Sequence, residues 1–306
     1  MRDTFVNALL GHARADHNVL LVTGDLGFGV LDGFSRDLPA QFINAGVAEQ
    51  NMTGLSVGLA LEGKNVFTYS IANFPTLRCL EQIRNDVAYH NASVNIVAIG
   101  GGFSYGALGM SHHATEDIAI LRALPGLRVY APCDEAETIA LVGHMVASPA
   151  PTYLRLDKSK VAARHGEPVI PGRLRQLRDG NHVVIVGYGG IVAEALAAAD
   201  ALASDGIQSS VYSAHTLKPF DAQTLMRLAR THEAMLTVEE HVPSGGLGSL
   251  AADTFVEAGE LPKRFARMCL PDAYSAIVGS QEYLRLRHGL DATAIAARVR
   301  KLMDAP

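Results

Sequence analysis

The chain has 306 residues, 48% of them hydrophobic and 19% charged, with 26 Lys and Arg against 31 Asp and Glu for a formal net charge of −5. That length suggests about two domains, and the mild acidity lacks the basic stripe of a nucleic-acid binder, so no nucleic-acid partner is expected. No run approaches the roughly 20 apolar residues of a membrane span, and the start lacks a signal-peptide core, so no membrane partner and a cytoplasmic location are expected.

In chain order, the first half alternates short apolar runs with helical stretches. Strands are predicted over 19–23, 42–45, 65–70, 94–99, 127–131 and 151–156. Helices are predicted after Glu49, over 74–89, over 115–123, and from an Asp134 N-cap to 145. Short apolar runs bounded by Gly and polar residues suit buried parallel strands. Residues 158–180 break the rhythm and read as a linker. A second unit follows, with strands over 183–187, 208–213, 234–239 and 265–270, and helices over 191–203, 221–230, 246–258 and 292–303. This strand–helix order indicates parallel sheets covered by helices.

Three segments carry chemistry. In Asn44-Ala45-Gly46-Val47-Ala48-Glu49-Gln50-Asn51-Met52, Glu49 stands at a strand-to-helix turn, where outward N–H groups favour negative charge. Position alone favours a helix-start carboxylate that only caps. In Ser70-Ile71-Ala72-Asn73-Phe74, Phe74 suits either core packing or ring stacking, and Arg78 reads as solvated. The Gly-rich stretch from Phe103 to Asp117 carries adjacent His112 and His113, which can present an imidazole to a reacting carbonyl. A metal site is the alternative there, and it lacks a third ligand. Glu116 and Asp117 read as the start of the next helix. The Gly187-Tyr188-Gly189-Gly190 turn lacks the full dinucleotide fingerprint and reads as a tight turn. Cys79, Cys133 and Cys269 are scattered without metal-ligand spacing, as suits a reducing compartment.

The Asn44–Met52 string followed by a small-residue helix resembles the pyrimidine-binding domain of thiamine-diphosphate enzymes, in the transketolase and deoxyxylulose-phosphate synthase group. The likeness continues through Thr216-Leu217-Lys218-Pro219-Phe220-Asp221, Glu239-Glu240-His241 and Gly245-Gly246-Leu247-Gly248-Ser249. It implies two α/β domains, each a mainly parallel sheet flanked by helices: a pyrimidine-binding domain over 1–157, the linker over 158–180, and a transketolase-like C-terminal domain over 181–306. It also implies thiamine diphosphate as cofactor. Glu49 would contact the aminopyrimidine and share the proton that turns the ring into a base, a task suited to a buried carboxyl. Phe74 would stack on the ring, with Ile71 in place of the family's first Phe. Asp25 matches a residue near cofactor and subunit contact, although a strand-end turn Asp reads equally well. His112 matches a His near the thiazolium and the substrate oxygen, and His113 stands where many relatives have Gln. Lys158 and Arg2 stand at positions that bind phosphate in the family.

The family's Gly-Asp-Gly and the Asn downstream of it, which hold Mg²⁺ and the diphosphate, have no match. The resemblance therefore implies a split enzyme: a separate, larger partner chain supplies the metal site, this chain alone is inactive, and the assembly is α2β2. Ala107-Leu108 replaces an acidic pair that binds a sugar hydroxyl. A sugar-phosphate His is replaced within Gly100–Gly102, and a Ser by Gly29. The donor pocket is thus expected to be altered and more apolar, with an unknown ketose or 2-oxo acid as substrate. Two alternatives remain: the beta subunit of a 2-oxo-acid dehydrogenase, and a non-catalytic scaffold. The Ser111-His112-His113 loop and Lys218-Pro219-Phe220-Asp221 favour a transketolase-like transferase over the first. Joint retention of Glu49, Phe74 and His112 argues against the second. His215, His232 and His241 read as structural.

Overall fold

The structure is a computed structural model that describes residues 1–158, 161–162 and 168–304. The chain opens with α1 (Arg2–Ala15), whose buried Phe5, Val6, Leu9 and Ala13 fall on one helical face. Then come β1 (Val19–Thr23), α2 (Asp32–Asp37), β2 (Phe42–Asn44), α3 (Glu49–Leu61), β3 (Asn65–Ile71), α4 (Leu80–Gln82), β4 (Val94–Ile99), α5 (Asp117–Arg122), β5 (Arg128–Tyr130), α6 (Glu135–Ala147) and β6 (Thr152–Leu156). The second half holds β7 (Arg175–Arg178), β8 (Val183–Gly187), α7 (Val192–Ser204), β9 (Ser209–Ser213), β10 (Thr216–Lys218), α8 (Ala222–Thr231), β11 (Ala234–Val238), α9 (Leu247–Ala258), β12 (Phe265–Met268), α10 (Gln281–Arg287) and α11 (Ala292–Met303).

The first sheet runs β10-β5-β6-β4-β3-β1-β2 and the second β12-β11-β8-β9-β7. All neighbours are parallel except β10 on β5 and β7 on β9. Residues alternate faces along a strand, and β1 shows it. Val19 and Leu21 join Phe5, Leu9, Phe34 and Leu141 from α1, α2 and α6 in one apolar layer. Leu20 and Val22 meet Met52 of α3 on the opposite face. The sheet is therefore sandwiched between helices, as the short apolar runs imply.

Three departures from the sequence reading have physical causes. The segment expected as one helix over 74–89 is a 3₁₀ turn at Leu77–Cys79, then α4, then a π-helical turn at Ile83–Ala88. Pro75 and the buried Thr76, whose hydroxyl bonds back to Ala72 O, delay its start. β7 lies inside the expected linker range, and residues 159–160 and 163–167 of that range lie outside the described residues. β10, expected with the second unit, pairs antiparallel with β5 at the edge of the first sheet, Thr216 opposite Tyr130.

The halves share a seam. Ile118 and Leu121 of α5 pack in one apolar cluster with Tyr188, Tyr212, Leu247 and Ala251. Beside it the buried Arg155 pairs with Asp117 at 3.2 Å, and Tyr153 donates to Asp117 at 2.5 Å. Among the described residues, no helix is long and apolar enough to cross a membrane.

Candidate active site at the ends of the parallel strands

From β1 the chain moves one way to β2, then returns across β1 to β3 and β4. Such a reversal opens a crevice beyond the carboxyl ends of the strands, where ligands bind in α/β sheets. Four of the expected residues arrive there on successive loops: Asp25 after β1, Glu49 after β2, Phe74 after β3 and His112 after β4, with Ile71 ending β3.

Glu49 is the first residue of α3 and only 4% exposed. Gly24 lies beside it, where even a Cβ would make only ordinary contact at 3.6 Å with Glu49 Cγ. Asp25 sits in the left-handed region at φ 59°. Asn44 holds it on both sides: Asn44 Nδ2 donates to Asp25 Oδ1 at 2.9 Å, and Asp25 N donates to Asn44 Oδ1 at 3.0 Å. Asn44 Oδ1 also accepts from Gly46 N, so one amide fixes both turns that present Glu49.

Arg78 corrects the sequence reading, because it is engaged and not merely solvated. Its Nη1 donates to Glu49 Oε2 at 2.8 Å, and its guanidinium carbon lies 4.9 Å from the Phe74 ring centroid. The edge of His112 meets Phe74 with centroids 5.2 Å apart. Asn73 staples the two loops, donating to Ser111 O at 3.1 Å and His113 O at 2.7 Å. Burial, then the neighbouring His113, hold the His112 imidazole pKa below its ordinary value. A neutral imidazole can accept or relay a proton.

His113 is not brought to this groove. It is buried, its Nε2 lies 3.2 Å from Gly106 O, and its ring meets Phe103. It faces a cavity of about 180 Å³ shared with Thr115, Glu116, Ser275 and His288. Arg2 and Lys158, by contrast, come together around Tyr105. Lys158 Nζ is 3.7 Å from the Tyr105 centroid, and both cations line one depression. Burial, then the charge of Arg2, push the Lys158 ammonium pKa down. Arg2 and Tyr105 also wall a cavity of about 210 Å³ with Leu26, Ile71 and Ser70. The Ser70 hydroxyl there is fully buried and unpartnered. Gly100, at φ 102°, leaves its side-chain space to the Tyr105 ring, with which a Cβ would collide.

Two other clusters are structural. The turn at Gly189 and Gly190 is closed by Asp157, whose Oδ2 accepts from Gly190 N at 2.6 Å. An internal carboxylate thus takes the place a phosphate would occupy. Cys133, Asp134 and Glu137 converge closely enough for a metal, the one such group among the described residues. Their ligand atoms are committed, however. Arg175 pairs with Asp134 at 2.7 Å and Glu137 at 3.3 Å, and Asp134 caps α6. Burial pushes the Cys133 thiol well up, so it stays protonated.

Family comparison decides what the groove belongs to. Residues 1–163 match the model of the transketolase pyrimidine-binding domain, and 172–295 that of the transketolase C-terminal domain. The chain belongs to the transketolase family. It is 36% identical over 298 residues to one subunit of the apulose-4-phosphate transketolase of Phocaeicola vulgatus, covering 96% of this chain and 94% of that one. It is 35% identical over 308 residues to a 6-deoxy-6-sulfo-D-fructose transketolase subunit from a Clostridium species, covering 99% and 94%. Among solved structures it superposes on a split-gene transketolase described as an inactive beta4 tetramer. There the TM-score is 0.87 at 33% identity, covering 99% and 97% of the two chains. Transketolase-family membership carries thiamine-diphosphate dependence and transferase chemistry.

Within that transketolase frame, sequence reasoning missed Arg78, Asn73 and Tyr105. Arg78 sits in a 3₁₀ turn, where helical spacing gives no guide to which side chains meet. The exchange of bulk between Gly100 and Tyr105 leaves a trace only in the adjacent glycines, which mark a backbone needing φ > 0.

Proposed function

We propose that this chain is the pyrimidine-side subunit of a split, thiamine-diphosphate-dependent transketolase-like enzyme, active only with a larger companion subunit. One observation carries the reading: the buried carboxyl of Glu49 and the ring of His112 both reach Phe74, the first through Arg78 and the second by direct ring contact. That donor set fits the aminopyrimidine end of the coenzyme. Glu49 would hold the ring through its carboxyl, Phe74 would lie against it, and Ile71 would close the wall beside it. Asp25 keeps the Glu49 turn in shape through Asn44. When bound, the coenzyme supplies the electron sink by which a carbon–carbon bond beside a carbonyl is broken and remade.

The chain's own residues do the rest. Glu49 holds or shares a proton at its carboxyl oxygen. His112, kept neutral to lower pH than free imidazole, takes or gives a proton at the substrate oxygen. His113 supports the loop that carries it. Lys158 and Arg2 would bind an anionic end of the substrate, Lys158 as a point charge.

The donor set does not fit a diphosphate with Mg²⁺. The Cys133, Asp134 and Glu137 group is already paired with Arg175. We assign the Mg²⁺ and diphosphate site to the companion subunit, in an α2β2 assembly. The description of the 33%-identical split-gene relative as an inactive beta4 tetramer supports a chain that self-associates yet does not turn over alone. The names of the two transketolase relatives support ketol or acyl transfer between carbonyl compounds, from a ketose or 2-oxo-acid donor.

The test is coexpression with the companion subunit and a screen of ketose and 2-oxo-acid donors. Glu49→Gln is expected to lower kcat by about 100-fold or more, the scale of acid–base catalysis. Near-normal turnover in that variant, or robust Mg²⁺-dependent turnover by this chain alone, overturns the proposal.

A further inference from the structure

Arg78 makes two contacts that define a shape. One N–H reaches the buried Glu49 carboxylate at 2.8 Å, and the flat guanidinium lies over Phe74 at 4.9 Å. A hydrogen bond to that carboxyl and a place against that aromatic ring are also what the aminopyrimidine needs in the function proposed above. A coenzyme ring reaching the same carboxyl past the same phenyl ring must displace the guanidinium. We propose that Arg78 is an internal stand-in for the aminopyrimidine, holding its position until the coenzyme enters and then swinging outward. This rests on the reading of Glu49 and Phe74 as pyrimidine contacts.

Three features fit that role. A carboxyl 4% exposed and left alone in the empty chain would be a buried, unpaired charge, and Arg78 removes that cost. The Arg78 side chain is 50% exposed, so it can retreat into water. Its backbone stays behind, because Gln50 Nε2 donates to Arg78 O at 3.1 Å and Arg78 N bonds Asn73 O. Half-exposed ion pairs and cation–π contacts are individually weak, so displacing this one costs about tenfold in affinity.

The experiment uses the full-length chain and the free aminopyrimidine alcohol that makes up half of thiamine, with binding read by NMR titration. Arg78→Ala is expected to bind this probe about tenfold more tightly than the wild type, with Arg78→Lys between them. Guanidinium chloride at millimolar concentration should compete with the probe in Arg78→Ala, by refilling the vacated place, and not in the wild type. Thermal unfolding of each variant checks that the fold is kept. If Arg78→Ala binds no tighter than the wild type, or no variant binds at all, the stand-in is overturned. The double variant Glu49→Gln/Arg78→Ala separates the two ideas. Binding equal to that of Arg78→Ala removes Glu49 from the pyrimidine site and the functional reading fails. Loss of binding in the double variant, with no gain from Arg78→Ala alone, overturns the stand-in only.

Discussion

Among single residues, His112 has the most testable electrostatics. Burial and the adjacent His113 lower its pKa from the ordinary 6.5. Its ring should therefore titrate below that value in an NMR pH series, and His113→Gln should move the midpoint upward by removing a like charge. An unchanged midpoint in His113→Gln would mean that burial alone sets it. Glu49, Phe74 and His112 were legible because each stands in a short string of fixed chemistry. Arg78 was not, since the carboxyl it bonds lies on another segment, 29 residues away in the chain. Nor did the adjacent histidines reveal that they face opposite ways. A 3₁₀ turn at Met110–His112, followed by extended backbone at His113, sends one ring to the groove and the other inward.

At the scale of elements, parallel strands were the clearest feature, because burial on both faces forces continuous apolar runs. α7, α8, α9 and α11 were also close to their expected bounds, whereas α10 was not among the expected helices. α1 and α2 were harder, since α1 mixes charged and apolar residues over its whole length. α9 shows what holds an element end without its own N-cap side chain. Glu239, buried at the end of β11, accepts from Leu247 N at 2.7 Å and Gly248 N at 2.8 Å, doing from a neighbouring loop what a local cap does. Glu239→Ala leaves two buried N–H groups without partners. Urea unfolding should show a loss of roughly 2–3 kcal/mol. A loss within ~0.5 kcal/mol, the range of an ordinary surface change, would show that the cap is dispensable.

For the whole molecule, the two units share a polar and apolar seam, and its proton chemistry tunes stability. His215 joins β9 to β10, fully buried, with Nδ1 3.0 Å from Thr216 Oγ1 and Nε2 without a partner. Burial is the main cause that lowers its pKa below 6.5. The unfolded chain then binds a proton that the folded chain resists. Stability is full above about pH 6.5 and falls as pH drops through that value toward the folded pKa. The melting temperature should decline between pH 7.5 and 5.5, and His215→Gln should flatten part of that slope. An identical slope in the variant would place the sensitivity in other groups.

The return of β10 to the first sheet has a consequence for biosynthesis. While the chain is being made, the leading half leaves the ribosome with the outer rim of β5 bare. An unpaired strand rim is a template for association with other chains. Only when Lys218 emerges can Thr216–Lys218 cover it. Dividing the gene at the segment between the two units would leave the first product with that rim open and the second with a strand lacking its partner.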